Sequence, residues 1–386
     1  MPLITLISGQ LMPNLFSVIL LKPEEVILVH TIDSKEEAQF FSEFVKKQKY
    51  GVSKTTLLEV KPFNPAEIRK SALELLCSFS DDGKDLNEFT LNYTGGTKPM
   101  SIEFVTVFKE AGSKLLYIDT QQETCWWTIG GEIEEKPLQV KLNVPEVFSL
   151  SRGAILGQEQ ESLIETLSEL TDYLFEIRAD KKFKSTTLGK WISGCVKLQL
   201  EITSRNKSEK LNTWKPNFSD KRLRVGFDAI KTSHVKVSFD GVEFTFKKKE
   251  FWLTYFTGGW FEHYVFNTLK KTAVYDDVRC NIRLKTNDPD DPQLKNEMDV
   301  VAVKNGIPVF IECKTGLVNQ KSVTNLKTAS EFYGGKYGEA VLVALNPDIA
   351  SAILEKISEN GIQLISGHEQ ITSELQTIHE YMVIKK

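Results

Sequence analysis

The sequence lacks the long apolar runs by which proteins cross membranes. Its 386 residues include no stretch of about 18 consecutive apolar residues. The start, MPLITLISGQ, has no positive charge ahead of a long apolar segment, so it does not resemble a secretory signal. Charged residues make up 26% of the chain, which is typical of water-soluble proteins. We therefore expect a cytoplasmic protein that does not contact a membrane.

Cysteine and histidine are few, and their spacing excludes several kinds of site. The five cysteines form no C-x-x-C pair, so neither a structural zinc site nor a disulfide framework is expected. None of the five histidines follows an arginine by four to six residues, the spacing found in metal-independent HEPN ribonucleases. The Walker A and G-x-G-x-x-G patterns are absent as well. Chemistry at this protein's sites must therefore rest on other residues.

Negative charge exceeds positive charge only slightly, but the charge is unevenly spread. The net charge is −4, while residues 178–249 hold 18 Lys and Arg against 7 Asp and Glu, about +11, which leaves −15 for the rest. A basic surface of this size would attract phosphate backbones. A solvated, lysine-rich connector explains the same composition equally well. The length of the chain predicts two domains and a connecting region.

Both ends of the chain have the pattern of an α/β protein. In the first 120 residues, the β-rich runs LITLI, EVILVHT, TTLLEV, EFTLNY and KLLYIDT alternate with amphipathic helical runs. This alternation predicts a parallel sheet with helices on its faces. A further strand, TCWWTIGG, is expected at the sheet edge. After residue 250, a helix at GGWFEHYVFNTLKK precedes several strands and helices, which predicts a second α/β domain.

The segment NEMDVVAVKNGIPVFIECKTG predicts a β-hairpin with acids at one end. An Asn-Gly pair at positions 305 and 306 favours a two-residue type I′ turn, and this turn determines the register. Asp299 then lies directly opposite Glu312, and Glu297 lies opposite Lys314. The residues nearer the turn are apolar on both faces, so both strands should be buried on both sides.

Directly opposed carboxylates repel each other, so Asp299 and Glu312 need a reason to be there. A divalent cation between them is one explanation, because Mg²⁺ takes one or two carboxylates together with waters and phosphate oxygens. Lys314 shares a strand face with Glu312, where an ammonium could stabilise charge that develops on a phosphate. The alternative is structural: Asp299 would lie at a solvated strand end, and Glu312 would pair with Lys314 or Arg283.

These residues resemble the PD-(D/E)xK restriction-endonuclease-like family, with Asp299 as the motif aspartate and Glu312-Cys313-Lys314 as the E-x-K. Met298 stands where the motif has proline. The resemblance implies a nuclease with Mn²⁺ or Mg²⁺ held by Glu262 from the preceding helix, Asp299, Glu312 and the backbone carbonyl of Cys313, and with Lys314 as a further catalytic residue. His263 follows Glu262, and adjacent helical positions point about 100° apart, so we interpret it as a polar or interface histidine.

The segment LNYTGGTKPMS predicts a strand that ends in a Gly-Gly turn before a helix that begins near Thr97. Free backbone N–H groups and the helix dipole could bind an anion there, with Lys98 as a point charge. A tight turn with a capping threonine is an equally good interpretation.

Together with LISGQLMPN after the first strand, NYTGGTKPMS resembles the CARF domains of type III CRISPR ancillary proteins. That resemblance implies a Rossmann-like fold, a homodimer and an activator of the cyclic oligoadenylate class, cyclic tetra-adenylate in our prediction. The residues that would line the ligand site are Ser8, Gln10, Met12, Asn14, Asn92, Thr94, Gly95, Gly96, Thr97, Lys98 and Met100.

We therefore expect a CARF domain over residues 1–145, a basic, unassigned connector over 146–250 and a nuclease domain over 251–386. The resemblance implies an activated nuclease of CRISPR antiviral defence that cleaves DNA, with RNA as a second candidate substrate. The alternative is a CARF-linked transcription regulator without catalysis, in which the basic connector would bind DNA. The opposed acids would then have no purpose.

Overall fold

The computed structural model describes residues 2–47, 50–81, 83, 85–120, 122–205, 217–227, 234–247, 249–286 and 295–384. The strands in chain order are β1 Leu3–Leu6, β2 Glu25–His30, β3 Lys54–Glu59, β4 Thr90–Asn92, β5 Lys114–Asp119, β6 Thr124–Ile129, β7 Glu132–Pro137, β8 Gly153–Gly157, β9 Phe218–Ser219, β10 Leu223–Phe227, β11 Val235–Phe239, β12 Val242–Phe246, β13 Asp277–Thr286, β14 Lys295–Lys304, β15 Ile307–Lys314, β16 Glu339–Ala344 and β17 Gln363–Ser366.

The helices in chain order are α1 Met12–Leu21, α2 Lys35–Lys47, α3 Pro65–Asp81, α4 Lys98–Glu110, α5 Val144–Leu150, α6 Glu161–Thr166, α7 Ser168–Arg178, α8 Thr187–Arg205, α9 Lys249–Thr254, α10 Trp260–Thr272, α11 Gln320–Gly334, α12 Ser351–Glu359 and α13 His368–Ile384. A π-helical turn, Tyr255–Gly259, joins α9 to α10. Among the described residues, none of these helices combines the length and the apolar character that spanning a membrane requires.

The first sheet has the order β3-β2-β1-β4-β5-β6-β7, with β1 to β5 parallel and β6 and β7 antiparallel. The expected parallel sheet of five strands is confirmed. The expectation that the TCWWTIGG strand ends the sheet is wrong, because β7 pairs beyond it. All six residues of β7 are exposed and three are glutamates, so the charge of this strand protects the sheet edge from pairing with another chain. The strand has no alternation of apolar and polar residues, which is why the sequence did not predict it.

A six-stranded mixed sheet, β17-β16-β15-β14-β13-β8, forms the second α/β unit. Its edge strand β8 comes from the region expected to be a connector. The rest of that region supplies α6, α7, α8 and a four-stranded sheet, β12-β11-β10-β9. One hydrophobic cluster joins residues of this region, such as Leu174 and Val225, to Leu269 and Val300 of the second unit. The middle region therefore shares a core with the C-terminal unit, and the domain boundaries at 145 and 250 stay a prediction.

The β14–β15 hairpin has the predicted turn and register. Asn305 and Gly306 have φ values of 49° and 76°, as a type I′ turn requires. Pairing runs from Lys304 with Ile307 to Val300 with Ile311, in the predicted register. The ladder ends there, so the next positions, 299 and 312, lie just beyond the paired part of the hairpin.

The hairpin tip packs directly on the N-terminal unit. A Cβ atom added to Gly306 would lie 2.3 Å from a ring atom of Phe16 on α1, so only glycine fits in this contact. The Asn305 side chain donates to Glu123 Oε2 at 2.6 Å. A shared hydrophobic cluster continues the contact, with the Phe148 ring 4.9 Å from that of Tyr333. The two α/β units are thus joined by a packed core rather than by a flexible linker.

Candidate active site and ligand crevice

Two strands and a helix bring the predicted nuclease residues together. Asp299 lies on β14, Glu312 and Lys314 on β15, and Glu262 in the first turn of α10. Lys314 Nζ lies 2.5 Å from Glu312 Oε1. The backbone N–H of Cys313 donates to Asp299 Oδ2 at 2.7 Å, so a side chain rather than a neighbouring strand receives this N–H.

Burial and mutual repulsion change the acidity of the two innermost carboxyl groups. Burial, followed by the charge of Glu312, raises the pKa of Asp299 to about 7, although Lys314 acts in the opposite direction. Burial and the charges of Asp299 and Glu159 raise the pKa of Glu262 well above its usual value. Burial is the larger cause for Asp299, and the charge of Glu312 raises its pKa further, in the direction that the predicted repulsion requires.

Lys314 is held charged by the acids around it. Burial alone would lower the pKa of Lys314, but the charges of Glu312 and Asp299 outweigh burial, and the net shift is upward. The predicted register placed Glu297 opposite Lys314, whereas the structural alternative paired Lys314 with Glu312. The structure has the second arrangement, an ion pair between Lys314 and Glu312. Glu297 is exposed and lies opposite Arg283 on β13. The cause is the end of the ladder: beyond Val300 the register no longer places residue 297 across from residue 314.

Glu159, His263 and Asn281 also belong to this cluster, and of these three the sequence pointed only to His263. His263 Nε2 lies 3.0 Å from Glu159 Oε2, and the Asn281 side chain donates to the same oxygen. Asn281 has φ 51°, and the β13–β14 ladder omits it, opposite Asp299. His263 is 1% exposed and paired with Glu159, so of the two interpretations, polar or interface histidine, the structure agrees with a buried polar one. Asparagine is uncommon inside β-strands, so Asn281 within the run DVRCNIRL was the feature of the sequence that could have indicated an irregular position in this strand.

The donors in this cluster suit a cation. Within the described residues, Glu262 Oε2 is buried without a hydrogen-bond partner. A cation would satisfy that oxygen and relieve the repulsion that raises the pKa of Asp299 and Glu262. The ligand atoms of Glu159, His263 and Cys280 lie within 4.8 Å of one another, whereas Glu262, Asp299 and Glu312 do not form such a group among the described residues. The predicted role of the Cys313 carbonyl stays a prediction.

The ligand crevice lies where the strand order of the first sheet reverses. β1 lies between β2 and β4, so the connections after β1 and β4 run to opposite sides. In open α/β sheets, ligands bind outside the carboxyl ends of strands at this point. The predicted loops, residues 8–11 and 93–97, are the two segments that leave β1 and β4 there.

Among the predicted ligand residues, some are accessible and others form the floor of the crevice. Met12 and Met100 are in the core at 6% and 0% exposure, and Asn14 and Asn92 are fully buried. Both asparagines donate to Thr5 Oγ1, at 2.7 and 3.2 Å, and so tie the two loops together. These four side chains shape the crevice without reaching its surface. The residues with exposed surface are Ser8, Gln10, Thr94, Gly96, Thr97 and Lys98.

The Gly-Gly turn is closely packed against β1. A Cβ atom at Gly95 would lie 2.2 Å from the carbonyl oxygen of Leu6, and Gly96 has φ 79°. Thr97 caps α4 by accepting from the N–H of Met100 at 3.4 Å, and Lys98 is exposed in the first turn. Gln10 points to the other unit, where its side-chain oxygen accepts from the N–H of Lys336 at 3.4 Å. The turn thus presents a helix N-terminus and a cation together.

Two family models match the chain: the Card1 CARF domain over residues 3–147 and the Card1-like endonuclease domain over residues 249–382. None of the curated proteins compared with the sequence matches it.

Several solved structures have a similar fold. Protein VC1899 from Vibrio cholerae has a TM-score of 0.74 and 15% identity, over 100% of this chain and 97% of that one. Can2 from Sulfobacillus thermosulfidooxidans, solved in complex with cyclic tetra-adenylate, has a TM-score of 0.68 and 20% identity, over 100% and 98%. A type III CRISPR defence DNA nuclease activated by cyclic oligoadenylate has a TM-score of 0.54 and 14% identity, over 93% of this chain and 52% of its own.

Proposed function

We propose that this protein, which joins a Card1 CARF domain to a Card1-like endonuclease domain, is a metal-dependent nuclease of type III CRISPR defence that a cyclic oligoadenylate activates. The observation that carries the proposal is the half-buried group of Asp299, Glu312 and Lys314, which contains an acid-lysine ion pair, in the endonuclease domain. The ion pair between Glu312 and Lys314 agrees with a structural role as well, but a structural pair does not explain the nearby carboxyl groups of Asp299 and Glu262. Nuclease activity therefore explains the site better than transcription regulation does.

Each side chain of the group has a distinct task in phosphodiester hydrolysis. Glu262, Asp299 and Glu312 would hold Mn²⁺ or Mg²⁺, which supplies Lewis-acid stabilisation and lowers the pKa of a bound water. Lys314, kept charged by Glu312, would place its ammonium near the phosphate oxygens where negative charge develops. The N–H of Cys313 orients the carboxylate of Asp299.

This chemistry does not distinguish DNA from RNA, so both supercoiled plasmid and labelled RNA should be tested as substrates with Mn²⁺. Cleavage that persists in a chelator would sink the proposal.

Metal binding is expected to depend on pH around neutrality. The pKa of Asp299, raised to about 7, means that the folded chain keeps this proton where the unfolded chain has lost it. Such a carboxyl contributes stability that is present at low pH and is lost as pH rises through 7. A cation binds only the deprotonated form and restores that stability. We expect Mn²⁺ to bind about tenfold more tightly near pH 8 than near pH 6, measured by calorimetry. Equal affinity at both pH values would contradict this account.

Cyclic tetra-adenylate is the activator that we propose, since Can2, which has a similar fold, was solved with that ligand. A ring of four phosphates with its own two-fold axis suits a homodimer, in which the same crevice meets the ligand twice. Thr97 and Lys98, at the start of α4, would bind one phosphate in each subunit.

Replacing Lys98 with methionine should weaken activation without affecting the nuclease itself. A hydrogen bond to a charged group contributes about 1.5–3 kcal/mol, which corresponds to a loss of about tenfold or more in affinity. We expect the activator concentration for half-maximal cleavage to rise accordingly. Lys109→Met, at the other end of the same helix, is the matched control and should behave as the wild type. An unchanged half-maximal concentration in Lys98→Met would remove Lys98 from the ligand site.

A further inference from the structure

Arg178, the last residue of α7, is a half-buried cation without an acidic partner. Among the described residues, no acidic side chain acts on its guanidinium. Its contacts are a 3.4 Å hydrogen bond from Nη2 to the carbonyl oxygen of Thr315 and the ring of Phe183, whose centroid is 5.0 Å away. Burial lowers the pKa of Arg178, which reflects the missing counter-charge. Charged groups in protein interiors are usually paired, so the guanidinium lacks an anion.

The position of Arg178 points to the substrate as that anion. Thr315, which it contacts, directly follows Lys314 of the acid cluster. Arg178 lines a cavity of about 760 Å³ formed by the segments that follow β15, β16 and β17, among them Thr315, Asn346 and Gly367. This is the side of the sheet, outside the carboxyl ends of parallel strands, at which α/β proteins bind ligands. A nucleic acid that reaches Lys314 would have its neighbouring backbone in this cavity.

The end of α7 is held rigidly. The Phe175 ring, one turn before Arg178, stacks on Tyr264 at 3.6 Å and on His368 at 4.1 Å. His368 Nε2 lies 2.8 Å from the carbonyl oxygen of Phe175. These contacts connect α7 to α10, which carries Glu262, and to α13. The end of α7 is therefore fixed relative to the acids, and the contacts with Thr315 and Phe183 orient the guanidinium, as a phosphate-positioning group requires.

The cavity is not uniformly positive, so its overall charge does not carry the inference. Asp180, Asp348 and Glu369 line it together with Lys181 and Lys184. The Asp180 carboxylate accepts from the backbone N–H of Lys182 at 2.8 Å and so is engaged locally. Both lining lysines are exposed and free to move. Arg178 is the cation whose position the fold determines.

We propose that Arg178 binds a backbone phosphate of the nucleic-acid substrate next to the cleaved bond. This inference rests on the proposed nuclease function and adds a binding residue outside the metal site. A guanidinium can donate two parallel hydrogen bonds to one phosphate, which an ammonium cannot do with the same geometry. Arg178 thus contributes to substrate affinity and orientation rather than to the chemical step.

The test measures binding of a DNA and an RNA oligonucleotide to the full-length Glu312→Gln protein, which should bind without cleaving, over about 50–200 mM salt. Adding Arg178→Met should weaken binding about tenfold and reduce the slope of log affinity against log salt by about one. Adding Arg178→Lys should keep the slope and lose part of the affinity. Arg224→Met, which removes an exposed arginine on β10 outside the cavity, should change neither quantity.

Unchanged binding in Arg178→Met, or weaker binding with an unchanged slope, would overturn the inference. Weaker binding with an unchanged slope would indicate a structural defect instead of a lost phosphate contact. Activator binding by the same variant is the control, since a correctly folded variant should bind the activator as the wild type does. If the wild type cleaves and Arg178→Met binds normally, only this inference fails. If the wild type neither binds nor cleaves nucleic acid with Mn²⁺ and activator, the proposed function itself fails.

Discussion

The Glu312→Gln variant is expected to lose cleavage on the order of 1,000-fold at saturating activator. The substitution removes a proposed metal ligand and the partner that holds Lys314 Nζ at 2.5 Å. Loss of one such electrostatic contribution to the transition state costs about 3–4 kcal/mol, and each 1.36 kcal/mol is a factor of ten in rate. The measurement is the cleavage rate of plasmid and of RNA under single-turnover conditions, with activator binding as a check on folding.

Glu297→Gln is the matched control for this variant. The same change of charge is made two residues before Asp299, on an exposed side chain that does not pair with Lys314. We expect its cleavage rate to stay within about twofold of the wild type, since isolated surface charges contribute little. Residual cleavage of Glu312→Gln similar to that of Glu297→Gln would show that the acid cluster is not the nuclease site.

Gly306→Ala is expected to destabilise the protein and to reduce its response to the activator. A non-glycine residue in the left-handed region costs about 1–2 kcal/mol, and overpacking against Phe16 costs about 1–3 kcal/mol more. α1, which carries Phe16, begins directly after the first ligand loop, and Gly306 is the tip of the hairpin that carries Asp299 and Glu312. We expect a lower melting temperature and an activation ratio that falls about tenfold.

Gly241→Ala separates backbone strain from the contact with Phe16. Gly241 occupies the same position of an Asp-Gly turn between β11 and β12, with φ 88°, and nothing lies within 4 Å of an added Cβ atom. It should lose only the stability due to strain and keep full activation. Phe16→Leu combined with Gly306→Ala should recover part of the response. If Gly306→Ala and Gly241→Ala behave alike, the hairpin tip does not couple the two domains.

The sequence was sufficient to predict those strands, helices and turns that short sequence patterns determine by themselves. Asn305 and Gly306 determine a turn type, and the turn determines the register from residue 304 back to residue 300. The buried parallel strands of the first sheet are short apolar runs between amphipathic helices, so both their existence and their direction were predictable. The resemblance to CARF and endonuclease domains is confirmed by the two family models that match the chain.

The rest of the acid cluster depends on contacts between distant segments. Glu159 follows an edge strand from a region without a motif, and it meets His263 only because β8 pairs with β13. The unpaired conformation of Asn281 depends on its place opposite Asp299, which no local pattern encodes. Lys314 pairs with Glu312 because the ladder ends at Val300, and strand ends are not determined by turn chemistry.

The predicted ligand crevice also depends on contacts that the sequence alone does not reveal. Resemblance predicted its two loops, but it could not distinguish side chains with exposed surface from those buried beneath them. Asn14 and Asn92 are buried because both donate to Thr5 on the central strand. Met100 lies one turn into α4 and packs into the core beneath it. Which residues of a matched motif face a ligand depends on helix orientation, and this required the fold.

The most direct test of the account measures cleavage of supercoiled plasmid and labelled RNA with Mn²⁺, in the presence and absence of cyclic tetra-adenylate. We predict that the activator increases the cleavage rate at least about tenfold, the range expected when a ligand favours one of two conformations by 1–3 kcal/mol. Rapid cleavage that ignores every cyclic oligoadenylate would contradict control by the CARF domain.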